Sequence, residues 1–75
     1  MDKEPIVLDC SGLQCPMPIV QISRAVKDMT SNDELRVLAT DQAFKADVQA
    51  WARMTGNTII SFQDNEVKEV LIKLK

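Results

Sequence analysis

Apolar positions recur along this chain with two different periods. Ile6-Val7-Leu8 is a short β-favouring run, halted by Asp9, Ser11 and Gly12, which predicts a first strand and then a tight loop. Ile19, Ile22, Val26 and Met29 lie three or four apart, with Ala25 beside them and Gln21, Arg24, Lys27 and Asp28 between. That is the stripe of an amphipathic helix. Pro16 and Pro18 mark its start, because first-turn N–H groups have no intrahelical partner to lose. Thr30-Ser31-Asn32-Asp33 ends it. Leu35, Val37 and Ala39 then alternate with Arg36, Leu38 and Thr40 as a second strand. Asp41 is the expected N-cap of a second helix with Phe44, Val48, Trp51, Ala52 and Thr55 inward and Lys45, Asp47, Gln49 and Arg53 toward water. Gly56-Asn57 stops that helix, since both residues accept the left-handed conformation. Thr58 to Phe62 is β-rich and forms a third strand.

The last segment fits either period. Val67, Val70, Leu71 and Leu74 match a helical face, whereas Val70, Ile72 and Leu74 match strand alternation. Asp64-Asn65 sits between two apolar runs like a two-residue hairpin turn, and the third strand needs an antiparallel partner, so the reading is a strand. The order β-α-β-α-β-β predicts an α/β two-layer sandwich, with both helices packed on one face of a four-stranded mixed sheet. Residues 1–75 read as a single domain, without repeat or linker.

Composition narrows the chemistry. The chain has 75 residues, 9 basic and 11 acidic, a net charge of −2, no histidine and two cysteines. Without histidine it holds no Ser-His-Asp or Cys-His pair and no imidazole metal site. Two cysteines do not fill a tetrahedral zinc site, and no organic cofactor or metal is expected. The acidic balance argues against direct nucleic-acid binding, which needs a basic face. No apolar run is long enough to span a membrane. A monomer is the expected state, and because Met1-Asp2-Lys3-Glu4 lacks the basic start and apolar stretch of a signal peptide, the cytoplasm is the expected address. There thiols stay reduced, and the two cysteines read as reactive or inert groups rather than a structural disulfide.

Cys15, directly before Pro16-Met17-Pro18, is the position where chemistry concentrates. As an N-cap its sulfur would lie near the first-turn amides of Met17 and Ile19, and the helix dipole would favour thiolate over thiol. The thiolate is the nucleophile, so a lowered pKa would make the sulfur reactive without a histidine base. The competing reading is a small buried hydrophobe at a helix start. Cys10 likewise reads either as a buried residue closing the first strand or as a resolving thiol that attacks an oxidised Cys15. Asp9 is suited to hold loop amides and Gly12 to supply backbone freedom. Trp51 and Phe44 read as core, Met29 and Met54 as gap fillers, and Lys68, Lys73 and Lys75 as a solvated sheet edge.

The segment Leu8-Asp9-Cys10-Ser11-Gly12-Leu13-Gln14-Cys15-Pro16-Met17-Pro18 resembles the signature of the TusA/SirA-like sulfur-carrier family. In that family an Asp-x-x-Gly-x-x-Cys-Pro-x-Pro stretch leads from a strand into the first helix, and Asp9, Gly12, Cys15, Pro16 and Pro18 match every fixed position. The resemblance covers essentially the whole chain in length and element order. It implies that Cys15 accepts a sulfane sulfur as a persulfide and passes it on. The donors it implies are cysteine desulfurases or rhodanese-like enzymes, the recipient an acceptor protein, and the fates tRNA thiolation or sulfur oxidation. Two departures from the pattern stand out. Ser11 and Gln14 stand where many members carry a basic residue, and Met17 stands where many carry glutamate between the prolines. Two other functions fit the residues: a thiol–disulfide redox protein using Cys10 and Cys15, and a non-catalytic interaction or regulatory module of the same fold.

Overall fold

Leu35, Val37 and Ala39 are fully buried while Glu34, Arg36 and Leu38 between them are half-buried, and this alternation makes β2 (Glu34–Ala39) the strand around which the fold is assembled. In this computed structural model residues 4–75 are described; residues 1–3, part of the stretch read above for a targeting signal, lie outside them. The elements are β1 (Ile6–Cys10), α1 (Met17–Val26), β2, α2 (Phe44–Thr55), β3 (Thr58–Gln63) and β4 (Lys68–Lys73). The four strands form one sheet in the order β1-β2-β4-β3. β1 runs parallel to β2, with Leu8 beside Val37 and Cys10 beside Ala39; β4 is antiparallel to both β2 and β3. The mixed sheet and the β-α-β-α-β-β order are those the sequence predicts.

One face of the sheet carries the core. Cys10 from β1, Leu35 and Val37 from β2, and Val70 and Ile72 from β4 bury against Ile22 of α1 and Phe44 and Val48 of α2. Phe44 also meets Phe62 of β3, ring centroids 6.2 Å apart, with the Lys45 ammonium 5.6 Å from the Phe62 ring. The Arg36 guanidinium pairs with the Glu69 carboxylate, tying β2 to β4. Each helix stops for a local reason. At Lys27 the amide turns to the Arg24 and Ala25 carbonyls, so α1 ends at Val26 and Met29 packs on the core from beyond it. Gly56 takes a left-handed conformation, φ 78°, and its amide bonds to the Ala52 carbonyl.

Several boundaries depart from the sequence reading. β1 continues through Asp9 and Cys10 because β2 offers partners to both, at Leu38 and Ala39. The N-cap of α1 is Pro16, not Cys15; the Pro16 carbonyl accepts the Val20 amide, so the helix is already closed one residue later. The N-cap of α2 is Ala43, not Asp41, whose backbone carbonyl instead accepts the Phe44 amide in a preceding turn. The connection between β3 and β4 spans residues 64–67 rather than the Asp64-Asn65 pair alone. β4 is an interior strand, so Lys68 and Lys73 guard no edge; Lys68 reaches back 3.6 Å to Asp64. Met54 fills no gap and is 85% exposed. Among the described residues no helix is long and apolar enough to cross a membrane.

Candidate functional site

The loop between β1 and α1 is pinned at each turn. The Asp9 carboxylate accepts the Ser11 amide at 3.0 Å, the Cys10 carbonyl accepts the Leu13 amide at 3.1 Å, and the Thr40 hydroxyl accepts the Gly12 amide at 2.9 Å. Gly12 sits at φ 84°, a region L side chains rarely occupy, which is why this position suits glycine although open space surrounds it. Bonds to the Ser11 hydroxyl and amide hold the Asp9 carboxyl below the usual carboxylate range. The Gln14 carbonyl then accepts the Met17 amide at 2.8 Å, and the chain enters α1 through a cis Cys15–Pro16 bond.

This arrangement sets the two cysteines apart. Both are free thiols; Cys10 is fully buried and Cys15 is exposed. Burial, with the Asp9 charge adding to it, pushes the Cys10 thiol up. Cys15 departs from expectation in its electrostatics, because its thiol is also pushed up rather than down. The largest cause is the Asp47 carboxylate, which accepts the Cys15 S–H; partial desolvation and the negative charges of Asp47 and Asp41 act the same way. The helix N-terminus does not offset this. The Met17 amide expected to face the sulfur is committed to Gln14, Pro16 and Pro18 have none to give, and the sulfur lies one residue outside the cap.

Cys15 opens on a groove of about 350 Å³ between the two helices, lined by Pro16 and Ile19 on the α1 side and by Asp47, Ala50, Trp51 and Met54 of α2. Trp51, 9% exposed, serves the core with one side and the groove with the other. Asp47, read from the sequence as a water-facing residue, is half-buried beside the thiol. Sequence reasoning missed Asp47 and Asp41 as neighbours of Cys15. Their one visible signal was that Asp47 lies one residue before the inward Val48, at the border of the apolar stripe. The structure thus sets Asp9 near the end of β1 and Gly12 in the loop that follows, puts Pro16 and Pro18 into the start of α1, and leaves Cys10 in the core.

An exposed cysteine at a loop–helix junction, beside an open apolar groove on a two-layer α/β sandwich, defines a small thiol protein whose sulfur is accessible to other macromolecules. The family model described as sulfurtransferase TusA matches residues 6–74, and the chain belongs to that family. The sulfur carrier protein TusA of Allochromatium vinosum is 39% identical over 76% of this chain and 75% of its own. YrkF of Bacillus subtilis, a candidate sulfur carrier protein, is 47% identical over 76% of this chain but only 31% of its own. The chain spans about a third of that relative and of one from Aquifex aeolicus. The crystal structure of a SirA-like protein from Desulfitobacterium hafniense superposes with a TM-score of 0.79 at 25% identity, covering 91% of this chain and 95% of that one.

Proposed function

We infer that this protein is a sulfur carrier in which Cys15 holds the sulfur as a persulfide between a donor protein and an acceptor protein. The observation that carries this reading is the exposed Cys15 thiol on a pinned loop beside an open groove, at the matching motif position of a TusA-family chain. In the loading step the Cys15 thiolate attacks the terminal sulfur of a donor persulfide. The new Cys15 S–S bond forms as the donor S–S bond breaks, and the donor sulfur leaves as a thiolate. The sulfane sulfur changes hands without net oxidation. Delivery reverses the roles: an acceptor thiolate attacks the outer sulfur and Cys15 departs as the thiolate. Cysteine desulfurases and rhodanese-like enzymes are the donor classes that the family resemblance supplies.

The burial of Cys10 supports the relay over a Cys10–Cys15 disulfide cycle, because a thiol with 0% exposure is poorly placed to resolve an intermediate at the surface. Intact-mass spectrometry after incubation with a cysteine desulfurase and L-cysteine, and with a rhodanese and thiosulfate, tests the reading. Wild type and Cys10→Ala gain one sulfur atom that a reductant removes, and Cys15→Ser gains none. Loss of two hydrogens without retained sulfur would instead make the protein a disulfide redox agent.

A further inference from the structure

The groove beside Cys15 is apolar along Pro16, Ile19, Ala50 and Trp51, but its charge has one sign. Asp47 stands in its wall, and Asp41, from the turn before α2, adds negative charge at the thiol. The ion pairs of the described residues, Arg36–Glu69, Lys45–Asp64 and Lys68–Asp64, engage neither carboxylate. Asp41 Oδ2 is shut from solvent without a hydrogen-bond partner. A wall that is apolar with an uncompensated acidic corner complements a cationic side chain carried next to an apolar one.

We propose that Asp47 is a positioning residue beside Cys15, and that the groove the two line receives a basic side chain flanked by an apolar one from the sulfur-donating partner, whose cation pairs with Asp47. The proposal rests on the sulfur-carrier reading above. In the free protein the S–H proton is shared toward the Asp47 carboxylate, which suppresses the thiolate. When the partner's cation pairs with that carboxylate, the thiol loses its acceptor and the repulsion on its anion, and the proton leaves to solvent through the exposed side of Cys15. Nucleophilicity then arises where a persulfide is at hand, and the idle carrier is spared reaction with small oxidants and electrophiles. Asp41 contributes charge but no hydrogen bond to the thiol, so its share is the smaller one.

Two measurements on the full chain test this. The first is peptide-mapped iodoacetamide alkylation of Cys15 across pH for wild type, Asp47→Asn and Asp47→Glu. The midpoint falls by about one pH unit in Asp47→Asn and is restored toward wild type in Asp47→Glu. The second is the rate of sulfur loading by intact mass, with a cysteine desulfurase plus L-cysteine as protein donor and glutathione persulfide as small anionic donor. Asp47→Asn takes sulfur from the protein donor about fivefold more slowly, because the ion pair is gone, yet reacts faster with glutathione persulfide. A residue that merely supported the fold would move both donors in one direction. An unshifted alkylation midpoint would overturn the role of Asp47, and undiminished loading from the protein donor would overturn the cationic partner. Wild-type protein that takes sulfur from neither donor would overturn the carrier reading itself, and the alkylation profile would still decide for or against Asp47.

Discussion

Gly12 and Cys15 lie three residues apart in the same loop and answer to different physics. At Gly12 the constraint is the backbone: φ is 84° and a Cβ would meet nothing within 4 Å, so any cost of a side chain is conformational rather than steric. Gly12→Ala is expected to lower stability by about 1–2 kcal/mol without opening or filling a cavity, measured as the urea midpoint shift at unchanged slope. A variant as stable as wild type would mean that the loop rearranges freely, and the bond from the Gly12 amide to Thr40 would then lose its structural role. At Cys15 the constraint is electrostatic. The sulfur is accessible, yet the acidic neighbour from α2 outweighs what the start of α1 offers, because the Met17 amide is already bonded, Pro16 and Pro18 have none, and the sulfur lies one residue outside the cap.

The element that links core to site is α2. Its inward face, Phe44, Val48, Trp51 and Ala52, is buried against the sheet, and its flank carries Asp47, Ala50 and Met54 to the groove. Burial and exposure thus separate stability from docking along one helix. Phe44→Ala removes a fully buried ring that stacks near Phe62 and is expected to cost about 3–5 kcal/mol. Met54→Ser, at an 85% exposed position, is expected to leave stability within about 0.5 kcal/mol. It should nonetheless slow sulfur loading from a protein donor, since Met54 forms the apolar rim beside Cys15. Urea melts and intact-mass loading rates on the two variants check the division; a Met54→Ser protein that melts early but loads normally would reverse it.

At the scale of the whole molecule, two titrations bound the stability window. Asp9 has its carboxyl pulled down in the folded state, so its contribution is present above the unfolded value and is lost as pH falls through the folded one. Cys10 has its thiol pushed up, so its contribution is complete below the unfolded thiol range and is lost as pH rises through the folded value, with Cys15 adding in the same direction. Unfolding free energy measured by urea from about pH 3 to 10 should therefore show a plateau with two falling limbs. Asp9→Asn flattens the acid limb and Cys10→Ala part of the alkaline one. Limbs that stay parallel to wild type in both variants would assign the pH dependence to other groups.

Element order, the two amphipathic helices, the alternation in β2 and the motif cysteine at a loop–helix junction were legible in the chain itself. Each rests on local physics: the period at which apolar residues recur, the fixed φ of Pro16 and Pro18, and the positive φ taken by Gly12 and Gly56. The exposed state of Cys15 and the buried state of Cys10 were open alternatives, because both lie in a short segment with no period of its own. That β4 is an interior strand, so that Lys68 and Lys73 guard no edge, followed only from its insertion between β2 and β3. That Asp47 faces the thiol, reversing the direction in which Cys15 is shifted, followed only from α2 packing beside α1. Local pattern determines what each segment becomes; which side chains from distant segments meet is set by how the helices and strands pack, and the electrostatics of Cys15 depend on that packing.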